Sequence, residues 1–227
     1  MALKGVATQG LATQGLALQQ RRIGLTGGIA SGKSSVGHLL ASRFGLPVLD
    51  ADLYAREALA PGTQASAAVL ARYGAAVLAN PDAAPEATPT AAAVAIDRAA
   101  LGRLVFADAA ERQWLETLIH PQVRRRFDLE LARLETAPVV VLMIPLLFEA
   151  GLEELCSEVW LVDCDPEQQL NRLIGRDRLS EADARARISA QWPLARKRAL
   201  ADVVIANRGS PDQLPAAVQR ALLTRAD

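Results

Sequence analysis

The chain has 227 residues, 51% of them hydrophobic, enough to bury a sizeable core as one compact domain with appended lobes. Twenty-five basic residues balance 25 acidic ones, so no whole-molecule field draws it to nucleic acid or an anionic membrane, and any attraction to phosphate has to be local. Cys156 and Cys164 lack C-x-x-C spacing and His38 and His120 lie far apart, which argues against a zinc site or disulfide scaffold and fits a reducing cytoplasm.

Residues 1–20 repeat ATQGL at 7–11 and 12–16 without the apolar block of a signal peptide, and read as a mobile N-terminal extension. A first strand over residues 21–26 runs into Gly27 to Ser34, which spells G-x-x-x-x-G-K-[ST]. Val36, Leu39, Leu40 and Phe44 then recur at helical spacing. Strand, glycine-rich loop and helix in that order make a phosphate cradle: backbone N–H groups turn inward and the helix adds the positive end of its dipole. Lys33 supplies charge for the β- and γ-phosphates, and Ser34 offers a hydroxyl to Mg²⁺, a hard cation that shares oxygen ligands with the phosphates. The expected ligand is a Mg-nucleoside triphosphate.

Leu46 to Leu49 reads as a second strand ending at Asp50. Ligands of open α/β sheets bind beyond the carboxyl ends of strands, so Asp50 and Asp52 are expected to face the phosphate loop. Asp52 is the candidate base for an acceptor hydroxyl, while Asp50 either holds the Mg²⁺ hydration shell or caps the next helix. Residues 61–96 turn alanine- and proline-rich, and 80–90 reads as an exposed connection. Asp97 to Phe106 and Asp108 to Leu134 are predicted helical, with Pro121 breaking or kinking the second helix after His120. The span 61–135 is too long for a plain crossover and is expected to form a separate helical lobe.

The longest apolar run, Ala137 to Phe148, falls short of the roughly 20 residues of a membrane helix and reads as a buried third strand. It ends in Met143 and Ile144, where many phosphate-loop proteins carry a metal-organising aspartate. That task would fall to Asp50, Asp52 or Glu149. Val159 to Val162 and Val203 to Ile205 repeat the apolar signature, and Asp165-Pro166-Glu167 reads as a helix cap between them. Five short strands separated by helices predict a doubly wound parallel α/β sheet. Residues 172–198 concentrate eight basic side chains against three acids, and the stretch from Gly175 to about residue 195 reads as a lid that brings guanidinium groups to a transferring phosphoryl group.

Taken in order, GLTGGIASGKS (24–34), DAD (50–52), IDRAALGRLVF (96–106), IHP (119–121), PLLFE (145–149), QLNRLIGRDRLSEADARARISAQ (169–191) and ADVVIANRG (201–209) resemble the dephospho-coenzyme A kinase family, over about residues 22–220. The resemblance implies a P-loop kinase with a core (21–60, 136–174 and 196–227), a helical acceptor-binding lobe (61–135) and a lid (175–195). It implies transfer of the γ-phosphate of ATP, with Mg²⁺, to the ribose 3′-hydroxyl of dephospho-CoA, in a cytoplasmic monomer or weak homo-oligomer with no nucleic-acid or membrane partner. Gly28, Ile29, Ala30, Ser31, Gly32, Lys33, Ser34 and Ser35 are then expected around ATP, with Asn207 and Gly209 on its adenine side. Asp52, Lys33, Arg172 and Arg176 would carry the chemistry, and Asp50, His120, Leu146 and Glu149 would contact the acceptor. His120 also fits a helix-packing role. Two departures stand out: Ala30 occupies a position where the family usually has glycine, and residues 80–90 look expanded. Two other readings are a kinase of another small hydroxylated acceptor and a nucleotide-dependent switch ATPase; the chain lacks the N-K-x-D signature of a GTPase.

Overall fold

A computed structural model describes residues 20–79 and 95–224; the expanded connection at 80–90 and nearly all of the N-terminal extension lie outside them. Five strands, β1 (Arg21–Gly27), β2 (Val48–Asp50), β3 (Val139–Met143), β4 (Glu158–Asp163) and β5 (Val203–Ala206), pair in parallel in the order β2-β3-β1-β4-β5. The reason is visible in the side chains. Along β3, Val140 and Leu142 enter one apolar cluster while Val141 and Met143 enter another on the opposite face, so the strand is buried on both sides.

The helices are α1 (Lys33–Phe44), α2 (Ala51–Ala58), α3 (Gln64–Tyr73), α4 (Arg98–Ala107), α5 (Ala109–Arg133), α6 (Pro166–Asp177), α7 (Glu181–Ser189), α8 (Leu194–Arg198) and α9 (Leu214–Leu223). One face of the sheet packs on α1 and α9 through Val36, Leu40, Leu214 and Val218. The other packs on α2 and α5 through Tyr54, Ile119, Val123, Phe127 and Leu131.

Three sequence expectations meet the structure here. Pro121 does not break α5, which runs unbroken from Ala109 to Arg133. Proline removes one N–H, and the side-chain amide of Gln122 donates to the Leu118 carbonyl at 3.2 Å in the turn the ring disturbs. Among the described residues of the 61–135 stretch, Trp114, Leu115 and Leu118 join α3 and α4 around Val69, Leu101 and Val105, while the C-terminal half of α5 packs in the main core. Gln20 is bonded into the fold, its Nε2 donating to the carbonyls of Leu134 (2.6 Å) and Ala137 (3.0 Å). An antiparallel bridge between Leu78 and Ile96 closes the base of the connection around residue 80.

Candidate active site

Most of the candidate residues come from segments that follow the carboxyl ends of strands; His120 comes from α5. Residues 28–34 follow β1, Asp52 follows β2, Leu146 and Glu149 follow β3, and Asn207 and Gly209 follow β5. Strand order reverses around β1, and the crevice at such a reversal is where an open α/β sheet holds its ligand.

The phosphate loop ends at Gly32, which caps α1 at φ 98°, a left-handed conformation open to glycine. A Cβ there would also collide with the side-chain amide of Asn207, whose Nδ2 donates to the Ser31 carbonyl at 2.8 Å. Asn207 therefore braces the loop from β5. Ala30 has φ 59°, so the position where the family favours glycine is indeed left-handed and carries a Cβ. Lys33, the first residue of α1, is buried, and burial pushes its ammonium below the usual lysine range, with Asp52 and then Asp50 pulling it back up. Those two carboxylates are thus within electrostatic reach of Lys33. Ser34 and Ser35 are exposed at the start of the helix, and the Oγ of Ser31 is buried without a hydrogen-bond partner.

Asp50 makes the capping bond with one carboxylate oxygen. Its Oδ1 accepts from the Asp52 N–H at 2.9 Å at the N-terminus of α2, which places Asp52 in the first turn, exposed, on the wall of a cavity of about 630 Å³. That cavity also takes in Ile29, His120, Ile144, Leu146, Glu149 and Trp192, and it reaches α4 and α5 at Val105 and Leu115. His120 is exposed on this wall.

Gln169, Arg172 and Arg176 lie three and four residues apart on α6 and so share one face of it. Gln169 donates to the Ile29 carbonyl at 2.8 Å. Arg172 donates to the Asn207 carbonyl at 3.2 Å and keeps its Nη1 buried without a partner. Arg176 is a charged neighbour of Lys33, and its guanidinium is held by Asp177 at 2.7 Å. Asp177 also holds Arg187 of α7 at 3.1 Å, and Arg187 reaches the cavity wall. The Asp177 carboxyl lies below the ordinary range because Arg176 hydrogen-bonds it. Asp165 stands at the N-cap of α6 without making a capping bond; its carboxylate pairs with Arg208 at 3.3 Å instead.

Glu149 takes a structural partner that the sequence did not suggest. Its Oε1 pairs with Lys197 at 2.8 Å and accepts from the Trp192 N–H at 2.9 Å, and Lys197 is fully buried, donating also to the Pro145 carbonyl. Lys197 looked like one more member of the basic run over 172–198; only its burial against the β3 loop separates it. Gln191 and Gln169 were likewise missed, since neither residue type signals a site.

The orphaned donors Ser31 Oγ and Arg172 Nη1 and the buried ammonium of Lys33 fit a polyphosphate, and Ser34, Asp50 and Asp52 carry oxygen donors of the kind Mg²⁺ takes. Among the described residues no three His, Cys, Asp or Glu side chains come together as a metal site, so such an ion would depend on phosphate oxygens as well. No helix among these residues is long and apolar enough to cross a membrane.

Comparison with known proteins agrees with this geometry. The family model for dephospho-CoA kinase matches residues 21–213. The chain is 66% identical over 192 residues to a dephospho-CoA kinase of Synechococcus sp. strain CC9605, covering 85% of this chain and 87% of the relative. It is 62% identical to that of Parasynechococcus marenigrum strain WH8102, covering 92% and 98%. Among solved structures, TT1252 of Thermus thermophilus superposes with a TM-score of 0.70 at 40% identity over 90% of this chain and 97% of that one. The dephospho-CoA kinase of Campylobacter jejuni does so with a TM-score of 0.62 at 25% identity, over 90% and 96%. With the parallel sheet, the glycine-capped phosphate loop and the Asp52 cavity all inside the matched span, the chain belongs to the dephospho-CoA kinase family.

Proposed function

We propose that this chain transfers the γ-phosphoryl group of ATP to the 3′-hydroxyl of the ribose of dephospho-CoA, giving CoA and ADP. The observation that carries the reading is the placement of Asp52: the exposed carboxylate sits on the wall of the large cavity, within electrostatic reach of the buried Lys33 of the phosphate loop. The cavity is the acceptor's place and the loop is the donor's. Asp52 takes the proton of the acceptor hydroxyl as the new P–O bond forms, and the ADP leaving group keeps its negative charge against Lys33 and the amides of residues 30–35. Arg176 neutralises charge on the transferring group, and Arg172 bonds from its buried end toward the nucleotide. Mg²⁺, when bound by the phosphates with Ser34 and the Asp50–Asp52 pair, shields the phosphate charge. The apolar wall at Val105, Leu115 and Ile119 suits the less polar part of the acceptor, and His120 and Leu146 line its path. The 175–195 segment acts as the lid. We place the enzyme in the cytoplasm, a reading that the two free cysteines, Cys156 and Cys164, support.

The test is incubation with Mg-ATP and dephospho-CoA, followed by chromatography for CoA and ADP. Stoichiometric formation of both is expected, and no CoA at saturating substrates would refute the reading. A panel of other hydroxylated acceptors, ranked by kcat/KM, should place dephospho-CoA first.

A further inference from the structure

Ile29, at the third position of the phosphate loop, is held on every side. Its N–H donates to Oε1 of Gln191 at 2.9 Å, and its carbonyl accepts from Nε2 of Gln169 at 2.8 Å. Its side chain, with that of Ala30, packs on a small apolar cluster built from Leu170, Leu173 and Ala184, which also takes in Ile188. The preceding peptide is fixed from its other end, because the Gly28 carbonyl accepts from the Ser31 N–H at 3.1 Å. Gly28 itself makes room for Gln169: a Cβ there would lie 2.5 Å from that side chain's Nε2.

The two glutamines belong to different parts of the molecule. Gln169 stands on α6, on the face that also carries Arg172 and Arg176, whereas Gln191 follows α7 directly. Its neighbour Trp192 is fastened through its own N–H to Glu149, and Glu149 to the fully buried Lys197. The chain leaving α7 is therefore anchored to the β3 loop by one residue and to the phosphate loop by the residue before it. Ala184 and Ile188, from α7 itself, rest on the same loop apex. Ile29, Gln191, Trp192 and Glu149 all border the cavity that holds Asp52.

We propose that Gln191 is a positioning residue for phosphoryl transfer, which acts through the Ile29 peptide to lock the apex of the phosphate loop to the exit of α7. With the Ile29 N–H committed to Gln191, the loop donors left for phosphate begin at Ala30. The lock then does two things. It fixes the plane of the Gly28–Ile29 peptide, which glycine would otherwise allow to turn, and so sets the direction of the amides that follow. It also makes a movement of α7 and a movement of the loop apex one event, so that water is kept from the transferring group only when the loop is in its productive shape.

This inference rests on the kinase reading above, and the same assay separates the two. Unmodified enzyme is first shown to convert dephospho-CoA and Mg-ATP to CoA and ADP; failure at that step defeats the kinase reading. Gln191→Leu, which keeps bulk and removes the acceptor, is then compared with it. The expected result is a fall in kcat for transfer of about 10–100-fold. ADP affinity should change less than about threefold, and acceptor-independent ATP hydrolysis should rise as a share of total turnover. A residue that only packed the loop would lower thermal stability without moving that hydrolysis-to-transfer ratio. A kcat within about twofold of the unmodified enzyme, or a lower kcat at an unchanged ratio, overturns the proposal. If the variant fails to fold, hydrogen exchange on the unmodified enzyme with ADP bound decides the matter. Amides of residues 29–31 and 181–189 exchanging with one common opening free energy support the lock, and independent opening of the two segments overturns it.

Discussion

Asp52 owes its position to its neighbour: Asp50 caps α2, and the capping bond sets the Asp52 backbone in the first turn with its carboxylate toward the cavity. Asp52→Asn preserves that geometry and removes the proton acceptor. The expected outcome is a kcat lower by about 10²–10⁴ with ADP binding nearly unchanged, measured by steady-state kinetics and calorimetry. An unaltered kcat would exclude Asp52 as the base. Ala30 makes the opposite kind of case, a residue standing in a backbone shape that disfavours it. A left-handed φ costs an L-residue roughly 1–2 kcal/mol, and glycine gives back part of the gain through the greater freedom of the unfolded chain. Ala30→Gly should therefore raise unfolding stability by about 0.5–1 kcal/mol in urea titration. The left-handed requirement was legible as a departure from the family pattern, and the roles of Asp50 and Asp52 as a choice between cap and chemistry. Lys197, Gln169 and Gln191 were not legible, because what distinguishes them is burial and partner, and neither is encoded in residue type.

At the scale of elements, α5 shows where periodicity informs and where it does not. Ile119, Val123, Phe127 and Leu131 recur at helical spacing and form its buried stripe. Of the two effects expected of Pro121, the break does not occur, since a proline in a long, well-packed helix costs a bond but does not outweigh burial on both sides of it. Phe127 anchors the sheet-side half, fully buried and edge-on to the Tyr54 ring at 5.2 Å. Phe127→Ala should cost about 3–5 kcal/mol in chemical denaturation, more than a surface change in the same helix by a wide margin. Strands β3 and β4 were readable as unbroken apolar runs because both their faces are covered. β2 was readable only through its position before Asp50, since three residues carry no period of their own.

Across the whole molecule, the sequence pattern implied a doubly wound parallel sheet but not its order, because pairing depends on which crossovers pack together and not on any strand's composition. The order matters to function: with β1 central and β3 and β4 on either side of it, the loops after all three converge on one crevice. The lid proposal belongs at this scale as well. Addition of ADP together with dephospho-CoA should slow hydrogen exchange over residues 181–189 relative to either ligand alone, as measured by mass spectrometry. Identical exchange in all three states would show that α7 does not close. Seven ordered motifs identified the chemistry without revealing that the loop apex and the exit from α7 share one peptide.

The pairing of Leu78 with Ile96 has a practical use. Backbone bonds from Asp97 to Val77 (2.9 Å) and from Ala79 to Ala95 (3.1 Å) flank it, so whatever chain runs between leaves and rejoins the protein at a single stitched point. Doubling the length of such a detour adds only about 0.6 kcal/mol of closure entropy. This is accordingly a port at which a reporter peptide or an immobilisation handle can be spliced into the chain.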